Sequence, residues 1–118
     1  MDNQRRFPRA RVSFDSYVWV ESPGGPTHSG GRFIVLGAGG ACLEVDKPFS
    51  TSHLLDLWFT LPETRDMISS HAIVRSAVVG KGVGVEFLDI SPQQRARVSA
   101  CVQRYITAGF ADAGRDTA

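Results

Sequence analysis

Arginines crowd the start of the chain, and they are the residues best suited to bind a ligand. They are Arg5, Arg6, Arg9 and Arg11. A planar guanidinium binds a phosphate through two parallel hydrogen bonds and stacks on flat rings. Phe7 offers this arm an apolar anchor and Pro8 restricts its backbone, so the arginines can be held in fixed positions. The pattern predicts a site for a phosphorylated, ring-bearing ligand, and the alternative is a solvated basic terminus.

The composition limits the classes of protein to which the chain can belong. With 118 residues, of which 42% are hydrophobic, it suits one domain with its own core. The formal net charge is only +1, which disfavours a protein that binds duplex nucleic acid and favours one that binds a small anion. The chain has neither an apolar run long enough to span a membrane nor an apolar signal segment. We therefore expect a soluble, cytoplasmic protein.

The remaining reactive side chains form no catalytic or metal-binding pattern. Cys42 and Cys101 are far apart in the sequence and are expected to be buried free thiols. His28, His53 and His71 are scattered without the spacing of metal ligands, so no metal is expected. No serine or cysteine lies in a nucleophile signature. We therefore expect a protein that is not an enzyme and has no cofactor.

Alternating apolar and polar residues predict six short strands. In the fourth, for example, Leu55, Leu57 and Phe59 share one face. The predicted strands are 12–21, 29–36, 41–45, 55–61, 70–79 and 83–87. The glycine-rich segment 37–40 is expected to be a tight hairpin rather than a nucleotide-binding loop, because no helix follows it. Six strands at this spacing predict a small antiparallel β-barrel.

The pattern changes to a helical period after Ser91. Ser91 can cap a helix, and Pro92 suits the first helical position. One helical face, expected to pack on the barrel, carries Val98, Cys101, Val102, Tyr105 and Ile106. The sequence predicts a helix over 92–108, with Gly109 as its stop. The chain then divides into an arm (1–11), a barrel with its C-terminal helix (12–110) and a disordered tail (111–118).

Together these features resemble a PilZ domain over nearly the whole chain. Arg5 and Arg9 match the family's Arg-x-x-x-Arg motif, and the run 84–88, Gly-Val-Glu-Phe-Leu, stands before the capped helix. Domains of this family are receptors for the bacterial second messenger cyclic di-GMP. The resemblance implies that Arg5 and Arg9 hold the phosphates and guanines of this ligand, with Arg6 close by.

The family's second motif is only partly kept. It reads Asp or Asn, any residue, Ser, two residues, then Gly; with its glycine on Gly40, Val35 replaces the acid or amide and Gly37 the serine. The resemblance implies that these three positions join the arginines in the ligand site. Each lost polar contact to the guanine edge costs about 1–3 kcal/mol. The run 89–91, Asp-Ile-Ser, looks like a displaced copy of the motif, but its serine is better explained as the helix cap.

Two functions from different classes fit these residues. The first is a receptor or adaptor module that binds cyclic di-GMP and changes the surface it presents to a protein partner. The alternative is a nucleotide-independent PilZ-like interaction protein in motility or pilus assembly. Weak binding of single-stranded nucleic acid is a third interpretation, which the low net charge disfavours.

Two tryptophans bear on the choice of partner. Trp19 and Trp58 stand opposite the aliphatic faces of their predicted strands. They are expected either beneath a covering element or in an exposed patch. An exposed patch would dock a protein partner or a second copy of the chain, giving a homodimer.

Overall fold

The computed structural model of the chain describes residues 7–22, 25–45, 49–78 and 82–112, without the side chains of 16–22, 25–29 and 78. In chain order its elements are β1 (Arg9–Ser22), β2 (Gly25–Gly37), β3 (Gly40–Val45), β4 (Leu54–Thr60), β5 (Met67–Val78), β6 (Gly82–Phe87) and α1 (Pro92–Thr107). The strands pair antiparallel and close a barrel in the order β1-β2-β3-β6-β5-β4. The predicted all-β fold, a six-stranded antiparallel barrel with one C-terminal helix, is confirmed.

Two three-stranded meanders form the barrel. Strands β1, β2 and β3 pair in sequence order, as do β4, β5 and β6. The pairs β1–β4 and β3–β6 join the two halves. Closure removes the free edges at which a sheet could pair with another chain. It also places the outer faces of β3, β6 and β5 side by side.

The core lies inside the barrel and is rich in phenylalanine. Along β4, Leu55, Leu57 and Phe59 are buried while the residues between them are more exposed, as the alternation predicts. Phe33 is fully buried, and its ring centroid lies 4.8 Å from that of Phe14 and 4.6 Å from that of Phe59. Burying these rings removes a large apolar surface from water, which stabilises the barrel.

Helix α1 begins at the cap that the sequence indicates. Ser91 Oγ accepts a hydrogen bond from the backbone N of Gln94 at 3.1 Å, and Pro92 is the first helical residue. The predicted apolar face is buried at Val98, Cys101 and Val102 and half-buried at Tyr105 and Ile106. The helix ends at Thr107, and Gly109 beyond it has a φ of +101°, which favours glycine. No helix among the described residues is both long and apolar enough to cross a membrane.

Strand β1 begins earlier than the sequence indicates. The predicted arm ended at residue 11, but β1 starts at Arg9. Arg9 pairs with Gly37, and Arg11 pairs with Val35, in the ladder between β1 and β2. The charged side chains do not prevent this pairing, because the ladder uses backbone groups alone. Arg9 is thereby attached to the barrel beside the β2–β3 turn.

The residues after α1 also pair with β1. The backbone N of Arg11 donates to the carbonyl oxygen of Phe110, and that of Asp112 donates to the carbonyl oxygen of Arg9, both at 2.8 Å. Since β4 pairs with β1 only farther along the strand, this edge of β1 needs other partners. Ala111 and Asp112, the first residues of the expected disordered tail, therefore lie against β1. The rest of that tail lies outside the described residues.

Cys42 and Cys101 are not joined in a disulfide, as expected, but only one of them is buried. Cys101 lies in the apolar face of α1 and is fully buried. Cys42 lies on β3 opposite Gly84 of β6 and is half-buried, contrary to the expectation. The reason is local, because Gly84 has no side chain to cover the Cys42 thiol.

Candidate functional site

A cavity of about 620 Å³, the arginine cavity, opens on the barrel beside the β2–β3 turn. Its described lining includes three arginines from different elements: Arg9 of β1, Arg75 of β5 and Arg95 of α1. Four glycines line it as well: Gly37, Gly39, Gly40 and Gly84. The arginine cavity thus combines positive charge with accessible backbone, which suits an anionic ligand.

One of these glycines is required by a close approach between strands, and a second leaves room for the side chain of Ser76. A side chain at Gly40 would collide with the carbonyl oxygen of Val85 on β6. The Cβ of a residue replacing Gly84 would lie only 2.6 Å from the hydroxyl oxygen of Ser76. Glycine at both positions leaves part of the outer surface of β3 and β6 without side chains, and this bare surface forms the floor of the arginine cavity.

Arg9 carries a buried hydrogen-bond donor that is not used. Its Nη2 lies 3.4 Å from Oδ2 of Asp112, and the two side chains are only 21% and 18% exposed. Its Nε is buried and has no hydrogen-bond partner among the described residues. Buried donors are nearly always paired, because leaving one unsatisfied costs about 1–3 kcal/mol. Arg9 is therefore held in place with donor capacity to spare at the wall of the cavity.

A β-bulge in β5 places two polar side chains at the cavity. The pairing of β5 with β6 shifts between Val74 and Ser76, which makes Arg75 the extra residue. Arg75 Nε donates to Oε1 of Glu86 at 2.7 Å. Arg75, Ser76 and Glu86 all line the arginine cavity. An acid and a hydroxyl therefore face the ligand volume together with the arginines.

The third arginine is positioned by the arm. The guanidinium carbon of Arg95 lies 4.9 Å from the ring centroid of Phe7, a cation–π contact. A Cβ at Gly39 would lie 3.0 Å from the same ring, so the ring packs against the β2–β3 turn. Phe7 thus acts as the apolar anchor that the sequence predicts.

The structure brings together part of the predicted ligand site. Arg9, Gly37 and Gly40 line the arginine cavity. Val35 does not line it; it lies on β2, paired with Arg11 on one side and Cys42 on the other. Arg5 and Arg6 lie outside the described residues.

Sequence reasoning missed Arg75, Glu86 and Arg95. They lie on β5, β6 and α1, far along the chain from the arginine arm. Alternation places Glu86 on the outward face of its strand, but it does not reveal which other strands lie beside it. Only the β3–β6 and β5–β6 pairings bring these side chains to one cavity.

A second cavity, of about 400 Å³, surrounds a histidine held by two carboxylates. His71 Nε2 lies 3.0 Å from Oδ1 of Asp56, and His71 Nδ1 lies 2.5 Å from Oδ2 of Asp89. Two hydrogen bonds from His71 hold the pKa of the Asp89 carboxyl below its ordinary value. The one from the His71 side chain has the larger effect, and the one from the His71 backbone N has the smaller. The cluster ties β4 and β5 to the connection before α1, and it explains Asp89 without the displaced motif. Among the described residues, no group of His, Cys, Asp and Glu is arranged to hold a metal ion.

The tryptophan hypothesis is tested at one position only. Trp58 lines the second cavity and is 44% exposed. It therefore does not lie fully beneath a covering element. The side chain of Trp19 lies outside the described ones, so a joint patch stays a prediction.

Comparisons with known proteins agree with this architecture. The family model described as PilZ domain matches residues 3–104. The fold is similar to that of the Bacillus subtilis inhibitor of motility MotI, or DgrA, with a TM-score of 0.71 and 18% identity over 92% of this chain and 54% of that one. This chain thus spans about half the length of that protein. No curated protein sequence matches significantly.

Two further solved structures show the same fold. One is the PilZ domain of YcgR from Escherichia coli with c-di-GMP, at a TM-score of 0.65 and 16% identity over 90% of this chain and 94% of that one. The other is the PilZ domain of CeSA from a cellulose-synthesizing bacterium. Its TM-score is 0.56, and its identity is 20% over 81% of this chain and 95% of that one. At these identities the likeness establishes the fold.

Proposed function

This chain belongs to the PilZ domain family, and we propose that it is a receptor module that binds cyclic di-GMP in the arginine cavity. Arg9 is the main support for the proposal, because its partly exposed guanidinium lines the cavity and has a donor, Nε, without a hydrogen-bond partner among the described residues. Arg5 and Arg6, implied as ligand contacts by the family motif, belong to the same arm.

The charge of the arginine cavity supports a ligand with two phosphates. Among the residues that the structure describes, three arginines and one glutamate line it, and Arg75 is already paired with Glu86. The two phosphodiesters of cyclic di-GMP each carry one negative charge, and its guanines offer flat rings on which a guanidinium stacks.

Ligand binding would be coupled to the residues after α1. Asp112 contacts the Arg9 guanidinium only loosely, at 3.4 Å, and the backbone of Asp112 is bonded to Arg9 as well. A phosphate that accepts hydrogen bonds from Nη2 and its neighbouring N–H groups displaces this carboxylate. The segment 110–112 then changes its contacts with β1, which alters the surface presented to a protein partner.

Calorimetric titration tests the proposal directly. We expect saturable binding of cyclic di-GMP and no comparable heat with GMP or GTP, because neither control has two phosphodiesters fixed in a ring. Equal binding of all three nucleotides would indicate general anion binding. No binding of cyclic di-GMP at millimolar concentration would contradict the receptor function and leave the nucleotide-independent interaction protein.

Restoring the second motif should tighten binding. Val35→Asp adds an acid on the face of the sheet shared with Cys42, at the border of the arginine cavity. One new hydrogen bond to guanine is expected to raise the affinity about 10-fold or more, measured by the same titration. Thr60→Asp, on the exposed outer face of β4, is the control for the added charge.

The companion change Gly37→Ser should add less. Gly37 does not have the positive φ that would demand glycine, but its Cβ would lie 3.0 Å from both the Pro8 carbonyl oxygen and Arg9 Cγ. A serine there would displace the arm slightly and disturb Arg9.

For the first of these two changes, Val35→Asp, an affinity equal to that of the wild-type protein would show that position 35 does not reach the ligand.

A further inference from the structure

The β2–β3 turn presents no side chain that could read a guanine base. The motif positions for the acid and the serine are Val35 and Gly37. Neither side chain offers a hydrogen-bonding group. If the ligand carries guanines, the groups that recognise them must come from elsewhere in the arginine cavity.

Glu86 lies where a replacement carboxylate is needed. Its Cα pairs with that of Gly40, the one motif residue retained, across the β3–β6 ladder. Residues directly opposite each other on paired strands lie within about 4.5–5.5 Å. Its side chain is half exposed and lines the arginine cavity, and Arg75 holds one of its oxygens.

Ser76 supplies the second missing group. Its hydroxyl stands over Gly84, where a Cβ would approach it to 2.6 Å. The bulge at Arg75 places this residue beside the Arg75–Glu86 pair. The acid and hydroxyl that the β2–β3 turn has lost are therefore both present at the neighbouring strands β5 and β6.

We propose that Glu86, positioned by Arg75, recognises the guanine of the ligand, and that Ser76 assists it. This inference rests on the proposed function and names the residues that set its base specificity. Guanine presents two adjacent donors, N1–H and the exocyclic amino group, and a carboxylate accepts both in parallel. Adenine has an acceptor at N1, so it cannot make this pair of bonds. Glu86 therefore makes the site selective for guanine.

The competing interpretation is that Arg75 and Glu86 form a surface ion pair without a role in binding. Such pairs contribute little to stability, and their loss would change neither affinity nor selectivity. The ratio of affinities for a guanine and an adenine ligand separates the two interpretations, because a structural effect alters both affinities alike.

The experiment titrates four proteins with cyclic di-GMP and with cyclic di-AMP: wild type, Glu86→Gln, Glu86→Ala and the control Glu44→Gln. Glu44 is an exposed acid on β3 outside the arginine cavity. We expect Glu86→Ala to bind cyclic di-GMP about 10- to 100-fold more weakly, with little change for cyclic di-AMP. Glu86→Gln keeps one acceptor oxygen, so its affinity for cyclic di-GMP should lie between those of the wild-type protein and Glu86→Ala. Glu44→Gln should match wild type.

The outcomes distinguish this inference from the function on which it rests. No binding of cyclic di-GMP by the wild-type protein overturns both. Binding by wild type with an unchanged selectivity ratio in folded Glu86→Ala overturns only the role of Glu86. Circular dichroism and the melting temperature of each variant establish folding, and Glu86→Gln, which conserves size, serves if the alanine variant is unstable.

Discussion

Arg9→Ala is expected to abolish measurable binding of cyclic di-GMP while the barrel stays folded. Arg9 lines the arginine cavity and has a donor without a partner in the described part of the chain, so it would make charge-assisted bonds to the ligand. Two such bonds at about 1.5–3 kcal/mol each correspond to a loss of at least about 100-fold in affinity. The strand pairing of residue 9 uses its backbone, which alanine keeps. Calorimetry measures the loss, and thermal unfolding shows that the protein is folded.

The controls for Arg9 separate geometry from charge. Arg9→Lys keeps the charge but lacks the planar fork, so it should also bind poorly. Arg32→Ala removes an exposed arginine of β2 outside the arginine cavity and should bind as wild type does. Arg5→Ala should behave as Arg9→Ala does if the family motif holds. If Arg9→Ala bound cyclic di-GMP with wild-type affinity, the assignment of the ligand to this cavity would be wrong.

Cys101→Asp is expected to lower the free energy of unfolding by about 3–5 kcal/mol. The Cys101 side chain is fully buried in the apolar face of α1, between Val98 and Val102 and the barrel. Burial already raises the pKa of the Cys101 thiol, which shows how strongly this environment disfavours a negative charge. A buried carboxylate without a partner pays a large desolvation cost or is protonated. Since domains of this size are stable by about 5–15 kcal/mol, a large fraction would be lost.

Chemical denaturation measures this effect, and two variants define its cause. Ser99→Asp adds the same charge at an exposed position of α1 and should change stability by less than about 0.5 kcal/mol. Cys101→Ala removes only the thiol and should cost less than the aspartate does. An unchanged unfolding midpoint in Cys101→Asp would mean that α1 does not bury this face in solution.

Local patterns were sufficient to predict the elements of the fold. The alternation of Leu55, Leu57 and Phe59 is a property of one strand, and the cap formed by Ser91 is a property of four consecutive residues. Such signals need no knowledge of distant residues. They failed at the start of β1, because Arg9 is in a strand by virtue of its pairing with Gly37.

The candidate site also contains residues that local patterns indicate and residues that only the strand arrangement brings together. Arg9, Gly37 and Gly40 are close in space because Gly37 pairs with Arg9 in the β1–β2 ladder and with Gly40 in the β2–β3 ladder. Two short motifs could therefore indicate them, the first through Arg9 and the second through Gly37 and Gly40. Val35 belongs to the same motif, yet it lies beside the cavity rather than in its lining. A motif specifies residue order, whereas the lining of a cavity depends on which strands surround it.

The amino-acid sequence alone specified six short strands, a capped helix and an arginine-rich segment at the start of the chain, because each depends on residues within a few positions of one another. Tertiary structure decided which groups surround the ligand volume. Glu86 meets Gly40, and Arg75 meets Glu86, only because the closed barrel places β6 between β3 and β5. Asp112 reaches Arg9 only because the end of the chain returns to a strand edge whose backbone groups lack other partners.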